Sequence, residues 1–278
     1  SSVGYLLDLY WKKAKCERDY FRLIVCMTYF PHIVQGPIGR YDKLLKQFAA
    51  LPGFSYERVC AGLIRMLWGF IKKMVIADRL ALFTRTVFAS PGEFAGFEIF
   101  LAVSLCAVEL YADFSGCMDI VIGAAETMGI TLDENFKRPF FSKSAAEFWR
   151  RWHITLGAWF KDYVYMPVAM SPRFMKTCVN FRKKHGNRAG QIFSSAIPLA
   201  IVWLLTGLWH GRGADYVVWG IYWGAVIILG TVLTPEFKKL TAKLAINTES
   251  FGYQFFQMAR TYFLFVIGRM FTVTGSLE

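Results

Sequence analysis

Apolar residues run along this chain in long stretches with few charges. From Ala189 to Gly211 there is no Asp, Glu, Lys or Arg, enough at ~1.5 Å per residue to cross a bilayer core of roughly 30 Å. Further apolar runs predict helices over Leu23–Gly39, Phe94–Ala112, Tyr216–Pro235 and Phe255–Val273, the last enclosing Arg260. Val59–Ala77 and Phe114–Ile130 have the same character but carry charges. Several runs are shorter than the ~20 residues of a full span, so roughly six to eight membrane-embedded helices are expected, some tilted or re-entrant.

Polar punctuation sharpens this picture. Pro31 and Pro37, with Gly36 and Gly39, predict a bend in the first run. Asp42–Phe48 reads as a short amphipathic helix closed by the turn Leu51-Pro-Gly53. Ser144-Ala-Ala-Glu147 has the spacing of a capping box, so a helix is predicted to start at Ala145. Continued at helical period, it places Trp149, Trp152, Leu156 and Trp159 on one stripe and Arg150, His153, Gly157 and Lys161 on the next. Such a helix suits the membrane interface, with tryptophans between tails and headgroups and arginines towards phosphates or the cytoplasm. Pro167 and Pro172 are expected to stop it before a solvated basic loop, Arg182–Arg188. No internal repeat or low-complexity linker intervenes. The expected fold is all-α: a polytopic helical membrane protein, residues 1–278 forming one membrane domain.

Composition agrees. Hydrophobic residues are 55% and charged residues 19% of the 278 positions, against about 25% charged in soluble domains. The 32 basic and 20 acidic residues leave a net charge of +12. Between Lys137 and Arg188 twelve Lys or Arg stand against two acidic residues, Glu147 and Asp162. By the positive-inside tendency that stretch faces the cytoplasm, where anionic lipid is a fitting partner. Nucleic acid is not, because no binding motif accompanies the charge. The six cysteines show no CxxC spacing and imply neither a zinc site nor a disulfide framework. A start at Ser1-Ser2, with no methionine and no signal segment, is read as a piece of a longer protein.

Chemistry centres on two histidines. His210 ends the uncharged run, in or at the edge of the membrane, where an ionisable group is costly. Trp203, Gly207 and His210 share a helix face, the glycine opening space beside the ring, and Gly211 and Gly213 permit close approach. An imidazole so placed is a candidate general base; the plain alternative is a histidine bonded to a neighbouring carbonyl. His153 would orient a substrate or a second catalytic group, or simply bond a carbonyl or phosphate. It is not a metal ligand, lacking an i+4 His, Asp or Glu. Glu109, Asp113 and Asp119 put three carboxylates beside Ser115. Buried carboxylates need partners, and ion pairs with Arg65 or Arg269 are the plain reading. Ser115 lacks the G-x-S-x-G elbow of a nucleophile. The H-x4-D spacing of His210 and Asp215, used by a glycerolipid acyltransferase group, is discounted as a chance match of ~5% frequency.

Taken in order, Tyr29-Phe-Pro-His-Ile-Val-Gln-Gly-Pro-Ile-Gly-Arg40, Tyr111-Ala-Asp-Phe-Ser-Gly116 with Asp119, Glu147-Phe-Trp-Arg-Arg-Trp-His153, Trp159-Phe-Lys-Asp-Tyr-Val-Tyr-Met-Pro167 and Gly207-Leu-Trp-His-Gly211 resemble the membrane-bound O-acyltransferases. Within that family they resemble the bacterial branch acting on surface polysaccharides and teichoic acids. The resemblance covers nearly the whole chain and implies that its first membrane helices and carboxyl-terminal end are missing. It implies that His210 corresponds to the family's catalytic histidine and His153 to a second family histidine. It further implies a multi-pass protein of the bacterial inner membrane, with a tunnel joining a cytoplasmic acyl donor to a hydroxyl acceptor from the other side. The donor would be acyl-CoA or a carrier-protein thioester, with no bound cofactor. Trp149, Arg150 and Arg151 would receive its anionic portion, and Trp203 and Trp209 would flank the histidine. Val168-Ala-Met-Ser-Pro172 departs from the Leu-Gly-Gly frequent in the polysaccharide branch, while Pro167 favours that branch over the D-alanyl one. The expected activity is acyl transfer, acetyl in the leading reading, to a hydroxyl of an exported glycan. The rivals are D-alanyl transfer to teichoic acid, a non-catalytic conduit feeding a periplasmic acetyltransferase, and a transporter or scaffold.

Overall fold

The computed structural model describes residues 2–33 and 35–273. The chain is all-helical, with no β-strand among those residues. It divides into two compact units: one holds the chain up to Lys137 together with His153–Trp159, the other holds Arg138–Trp152 and the chain from Phe160 onward.

The first unit opens with α1 (Ser2–Tyr10) and α2 (Tyr20–Thr28), whose first turn is capped by Asp19 accepting from the N–H groups of Phe21 and Arg22. Tyr29 leaves helical geometry, and only four residues, α3 (Phe30–Ile33), resume it. The predicted Leu23–Gly39 run is therefore broken, and neither piece is long enough to cross a bilayer. The amphipathic helix expected over Asp42–Phe48 is present as α4 (Tyr41–Ala49). Tyr5, Cys26, Tyr29, Tyr41 and Leu44 from these elements form a buried core with Ile122, Ala125, Ile130 and Leu132.

The rest of this unit is built on two long helical runs. α5 (Tyr56–Phe70) passes through a π-helical segment, Ile71–Ala77, into α6 (Asp78–Ala89). α7 (Gly96–Thr127) fuses the two runs read separately as Phe94–Ala112 and Phe114–Ile130 into one helix of 32 residues. Its carboxylates are carried inside it, received by basic and hydroxyl side chains of the neighbouring helices. Glycines set how closely α5 and α7 approach. A Cβ at Gly62 would lie 2.6 Å from the Gly123 carbonyl oxygen, and one at Gly69 2.6 Å from that of Gly116. Glycines seven residues apart on each helix let the backbones touch.

In the second unit, α8 (Ala145–Arg151) starts where the capping box predicts, with Ser144 Oγ accepting from the Glu147 N–H at 3.2 Å. The glutamate reaches one residue further back than expected, to the Lys143 N–H at 2.8 Å. The predicted continuous helix through His153 is not formed. Trp152 is extended, His153 has φ +47°, and a separate helix, α9 (Ile154–Phe160), follows. The two stripes drawn across this segment therefore do not exist as continuous faces.

α9 runs through a π-helical turn, Lys161–Tyr165, into α10 (Met166–Ala169). Pro167 opens α10 rather than stopping the helix. Lacking an N–H, it cannot continue the regular ladder, and the preceding Met166 N–H bonds back five residues to Lys161. The expected basic loop is likewise helical: Arg182, Lys183, Lys184 and His185 form the last turn of α11 (Pro172–His185). Gly186, at φ +88°, then turns the chain into α12 (Asn187–His210). α13 (Ala214–Lys243) packs back along α12, and α14 (Phe251–Val273) completes the unit.

α12 and α13 are long and apolar enough to cross a membrane, with mean hydropathies of 1.8 and 1.9 over their best windows. Their outer faces and that of α14 expose Leu204, Leu208, Ile221, Leu229, Phe255 and Phe256. An apolar surface of this extent suits lipid rather than water. Inside lies an aromatic core. Phe148 and Trp223 are fully buried with parallel rings 6.3 Å apart, and Phe265 meets Phe148 at 4.6 Å.

Candidate functional site

In the second unit, His210 is the last residue of α12 and its side chain is exposed. Its ring stands edge-to-face with Trp219 at 4.8 Å and 76°, lies parallel to Tyr216 at 6.4 Å, and meets Trp209 at 4.8 Å. Glycines make this packing feasible. A Cβ at Gly207 would lie 2.4 Å from the Tyr216 carbonyl oxygen, and one at Gly211 2.3 Å from the Tyr216 ring. The space expected beside the imidazole at Gly207 is thus filled by the backbone of α13, and Gly211 seats Tyr216. Among the described residues His210 has no hydrogen bond or ion pair, and none joins it to Asp215.

Trp209 is exposed, Trp219 and Trp203 are buried, and Trp149 is half-buried. Trp149 meets Trp203 at 4.8 Å, Trp219 at 5.7 Å and Trp223 at 5.0 Å, each near perpendicular. The Nε1 atoms of Trp149 and Trp223 are buried without a hydrogen-bond partner among the described residues. Of the residues read as substrate-binding, Trp209 meets His210, while Trp149 and Trp203 connect to it through Trp219. Arg150 is exposed, and Arg151 is held by Glu147 at 2.6 Å. Trp219 and Tyr216, which touch the histidine directly, were missed. Their signal was the spacing Tyr216, Trp219, Trp223 along one helix, the last two on one face with Gly220.

The charge around α12 and α13 is distributed unequally. Arg182, Lys183, Lys184 and Arg188 crowd the start of α12, and Lys238, Lys239 and Lys243 the end of α13. Arg188 bonds Glu236 at 2.9 Å and the Val232 carbonyl, joining those two ends. The opposite end, His210–Ala214, carries only Arg212, with Asp215 just beyond.

In the first unit, His153 is buried and its Nδ1 lies 3.3 Å from Asn135 Oδ1. Phe114 meets its ring edge-to-face at 4.9 Å. Asn135, 1% exposed, forms part of the wall of a small polar cavity of about 50 Å³. Arg65, Lys72, Tyr111, Ser115, Asp119 and Glu134 also line it. Asp119 accepts from Arg65 at 3.1 Å and from Lys72, while Arg65 pairs with Glu134 at 2.7 Å. Arg65 was the expected partner of this carboxylate. Arg269 instead donates to Thr272 Oγ1 at 2.8 Å. The other two carboxylates lie apart from the cavity: Asp113 pairs with Lys73 at 2.7 Å, and Glu109 accepts from Thr84 Oγ1 at 2.6 Å. No cluster of three His, Cys, Asp or Glu that could hold a metal ion occurs among the described residues.

The first unit holds His153 and the second His210, each in aromatic surroundings, and α12 and α13 are apolar enough to cross a membrane. The chain belongs to the membrane-bound O-acyltransferase family, whose pattern matches residues 13–181. It is 32% identical to a probable alginate O-acetylase of Pseudomonas syringae pv. tomato over 96% of this chain and 46% of that protein. It is 30% identical to a peptidoglycan O-acetyltransferase of Helicobacter pylori, over 72% of this chain and 35% of the other. A teichoic acid D-alanyltransferase of Bacillus subtilis is also 30% identical, over 72% of this chain and 49% of its own length. The chain spans less than half the length of each of these relatives. The family match ends before His210, whereas the alignment with the Pseudomonas protein covers enough of the chain to include it.

Proposed function

We propose that the chain is part of a multi-pass enzyme of the bacterial cell membrane, folded as one functional membrane domain with tilted and interfacial helices. The reaction is O-acyl transfer, of acetyl in the first instance, from a thioester to a hydroxyl of an exported polysaccharide or cell-envelope glycan. His210 takes the proton of the attacking hydroxyl as its oxygen bonds to the acyl carbon. The tetrahedral intermediate then breaks its carbon–sulfur bond, and the imidazolium returns the proton to the departing thiolate. His153 positions donor or acceptor, and Arg150 and Arg151 receive the donor's phosphates. The donor is acyl-CoA or a carrier-protein thioester, so a carrier protein or a periplasmic acetyltransferase is a fitting partner.

One observation carries this reading: the polarity of α12 and α13. Their basic ends belong on the cytoplasmic side by the positive-inside tendency. His210 ends a 24-residue helix that begins there, about 36 Å away at ~1.5 Å per residue. A basic end for an anionic donor and a histidine near the exported acceptor are what transfer across a membrane requires.

The test uses the full-length protein in membranes, a labelled acetyl thioester and a glycan acceptor. His210→Ala at normal abundance is expected to lower ester formation by about 10²-fold or more. Unchanged turnover removes His210 from the reaction. Ester formed only when a separate acetyltransferase is added identifies a conduit instead. Transfer confined to a D-alanyl-loaded carrier identifies the alternative acyl group, the one named for the Bacillus relative.

A further inference from the structure

Asn135 joins the hydrogen bonds that hold His153 and the two residues after it, and those bonds determine which way its amide points. The backbone N–H of Thr155 is 3.0 Å from Asn135 Oδ1. A peptide N–H only donates, so the atom facing it must accept. Thr155 Oγ1 is compatible with that orientation. It accepts from the Ile38 N–H at 3.0 Å, and its own proton then goes to Asn135 Oδ1, also at 3.0 Å. With the oxygen so fixed, the amide nitrogen points to Met118 Sδ at 3.3 Å. Reversing the amide would set its NH2 group against the Thr155 N–H in a side chain only 1% exposed, a buried mismatch that is expensive.

His153 Nδ1 faces that same oxygen at 3.3 Å. Opposite an acceptor, a ring nitrogen must carry its proton. We infer that Asn135 is a positioning residue for His153, holding its neutral imidazole in the Nδ1–H form and so placing the ring's lone pair on Nε2. Two further features keep the ring in place. The Ile154 N–H donates to the Asn135 carbonyl at 3.0 Å, which holds the left-handed backbone at His153, φ +47°. Phe114 stands edge-to-face against the ring at 86°. His153 thereby meets a substrate as an acceptor for an O–H or N–H group, rather than as a donor to a carbonyl or phosphate. Its use in this way rests on the acyl-transfer reading; the protonation form does not.

Full-length protein labelled with ¹⁵N-histidine tests this, the His153 signal being assigned by its loss in His153→Gln. At pH 8 the wild-type ring is expected to show a protonated Nδ1 and an unprotonated Nε2. Asn135→Leu, which keeps the volume but removes the acceptor, loses that preference, and Asn135→Asp retains a protonated Nδ1. A wild-type proton on Nε2, or an unchanged Asn135→Leu spectrum, overturns the proposal. Should Asn135→Leu fail to fold, the wild-type and Asn135→Asp spectra decide.

In the transfer assay Asn135→Leu and His153→Gln are each expected to lower kcat by about tenfold or more, as a histidine held in the wrong form does elsewhere. Together they should lower it no further than one alone. Losses that multiply overturn the positioning role. A His210→Ala protein with normal turnover would instead remove the acyl-transfer reading and leave the ¹⁵N result standing.

Discussion

Gly69→Ala places one methyl group against backbone and has nowhere to put it. The new Cβ would lie 2.6 Å from the Gly116 carbonyl oxygen and 2.8 Å from the Ile120 nitrogen. Ordinary contact begins at 3.4 Å, so the carbon is about 0.8 Å too close. The obstructing atoms belong to the backbone of a 32-residue helix and cannot rotate aside. α5 and α7 must part by roughly that distance. Overpacking of this kind costs about 1–3 kcal/mol. The Arg65–Asp119 ion pair, 3.0 Å long, sits between the Gly62–Gly123 and Gly69–Gly116 contacts. Separation would stretch it beyond hydrogen-bond reach. The assay is unfolding of the full-length protein in detergent, with Gly230→Ala as reference, since a Cβ at Gly230 meets nothing within 4 Å. Gly230→Ala is expected to be neutral or stabilising by up to about 1 kcal/mol, and Gly69→Ala clearly less stable. Equal stability of the two would refute the close-packing argument.

Four more outcomes follow from local geometry. Gly207→Val should disrupt α12 against α13, its Cβ falling 2.4 Å from the Tyr216 carbonyl oxygen, and lower folded yield more than Gly230→Val. Ser144→Ala removes the cap of α8 and should cost about 1 kcal/mol, measurable by the same unfolding assay. Asp119→Asn leaves Lys72 and Arg65 without their shared carboxylate and should destabilise by about 1–3 kcal/mol at low salt; no change would show that the pairs add nothing. His32 is held by burial with its pKa pushed down to about 4 from 6.5. The unfolded chain therefore binds the extra proton first, and stability should rise as pH climbs from about 4 to 6.5. His32→Leu should flatten that dependence, and an identical slope in the variant would assign it to another group.

Local signals were read correctly where the causes are local. Ser144 shows the start of α8 because a cap needs only its own turn, and the alternation around Asp42–Phe48 shows α4. The uncharged stretch before His210 became a helix ending at that residue. The break at Trp152–His153 was invisible because its cause lies eighteen positions away, in the bonds that Asn135 makes to residues 153–155. The unity of α7 was hidden for a similar reason. The runs on either side of Asp113 were read apart, and Lys73 meets that carboxylate from another helix. Trp149 and Trp203 were noted, but Trp219, which joins them to His210, belongs to a helix whose orientation only packing fixes.

The contact of α12 with α13 at Gly207 and Gly220 also bears on how this part of the chain enters a bilayer during synthesis. Two apolar rods whose backbones touch beside a short turn can insert as one hairpin, with their amide groups already bonded internally. The hydrophilic cargo that must be carried through the lipid is then little more than Arg212, Asp215 and an imidazole. The lysine and arginine clusters at the other ends, costly to carry through lipid, favour one orientation of such a hairpin.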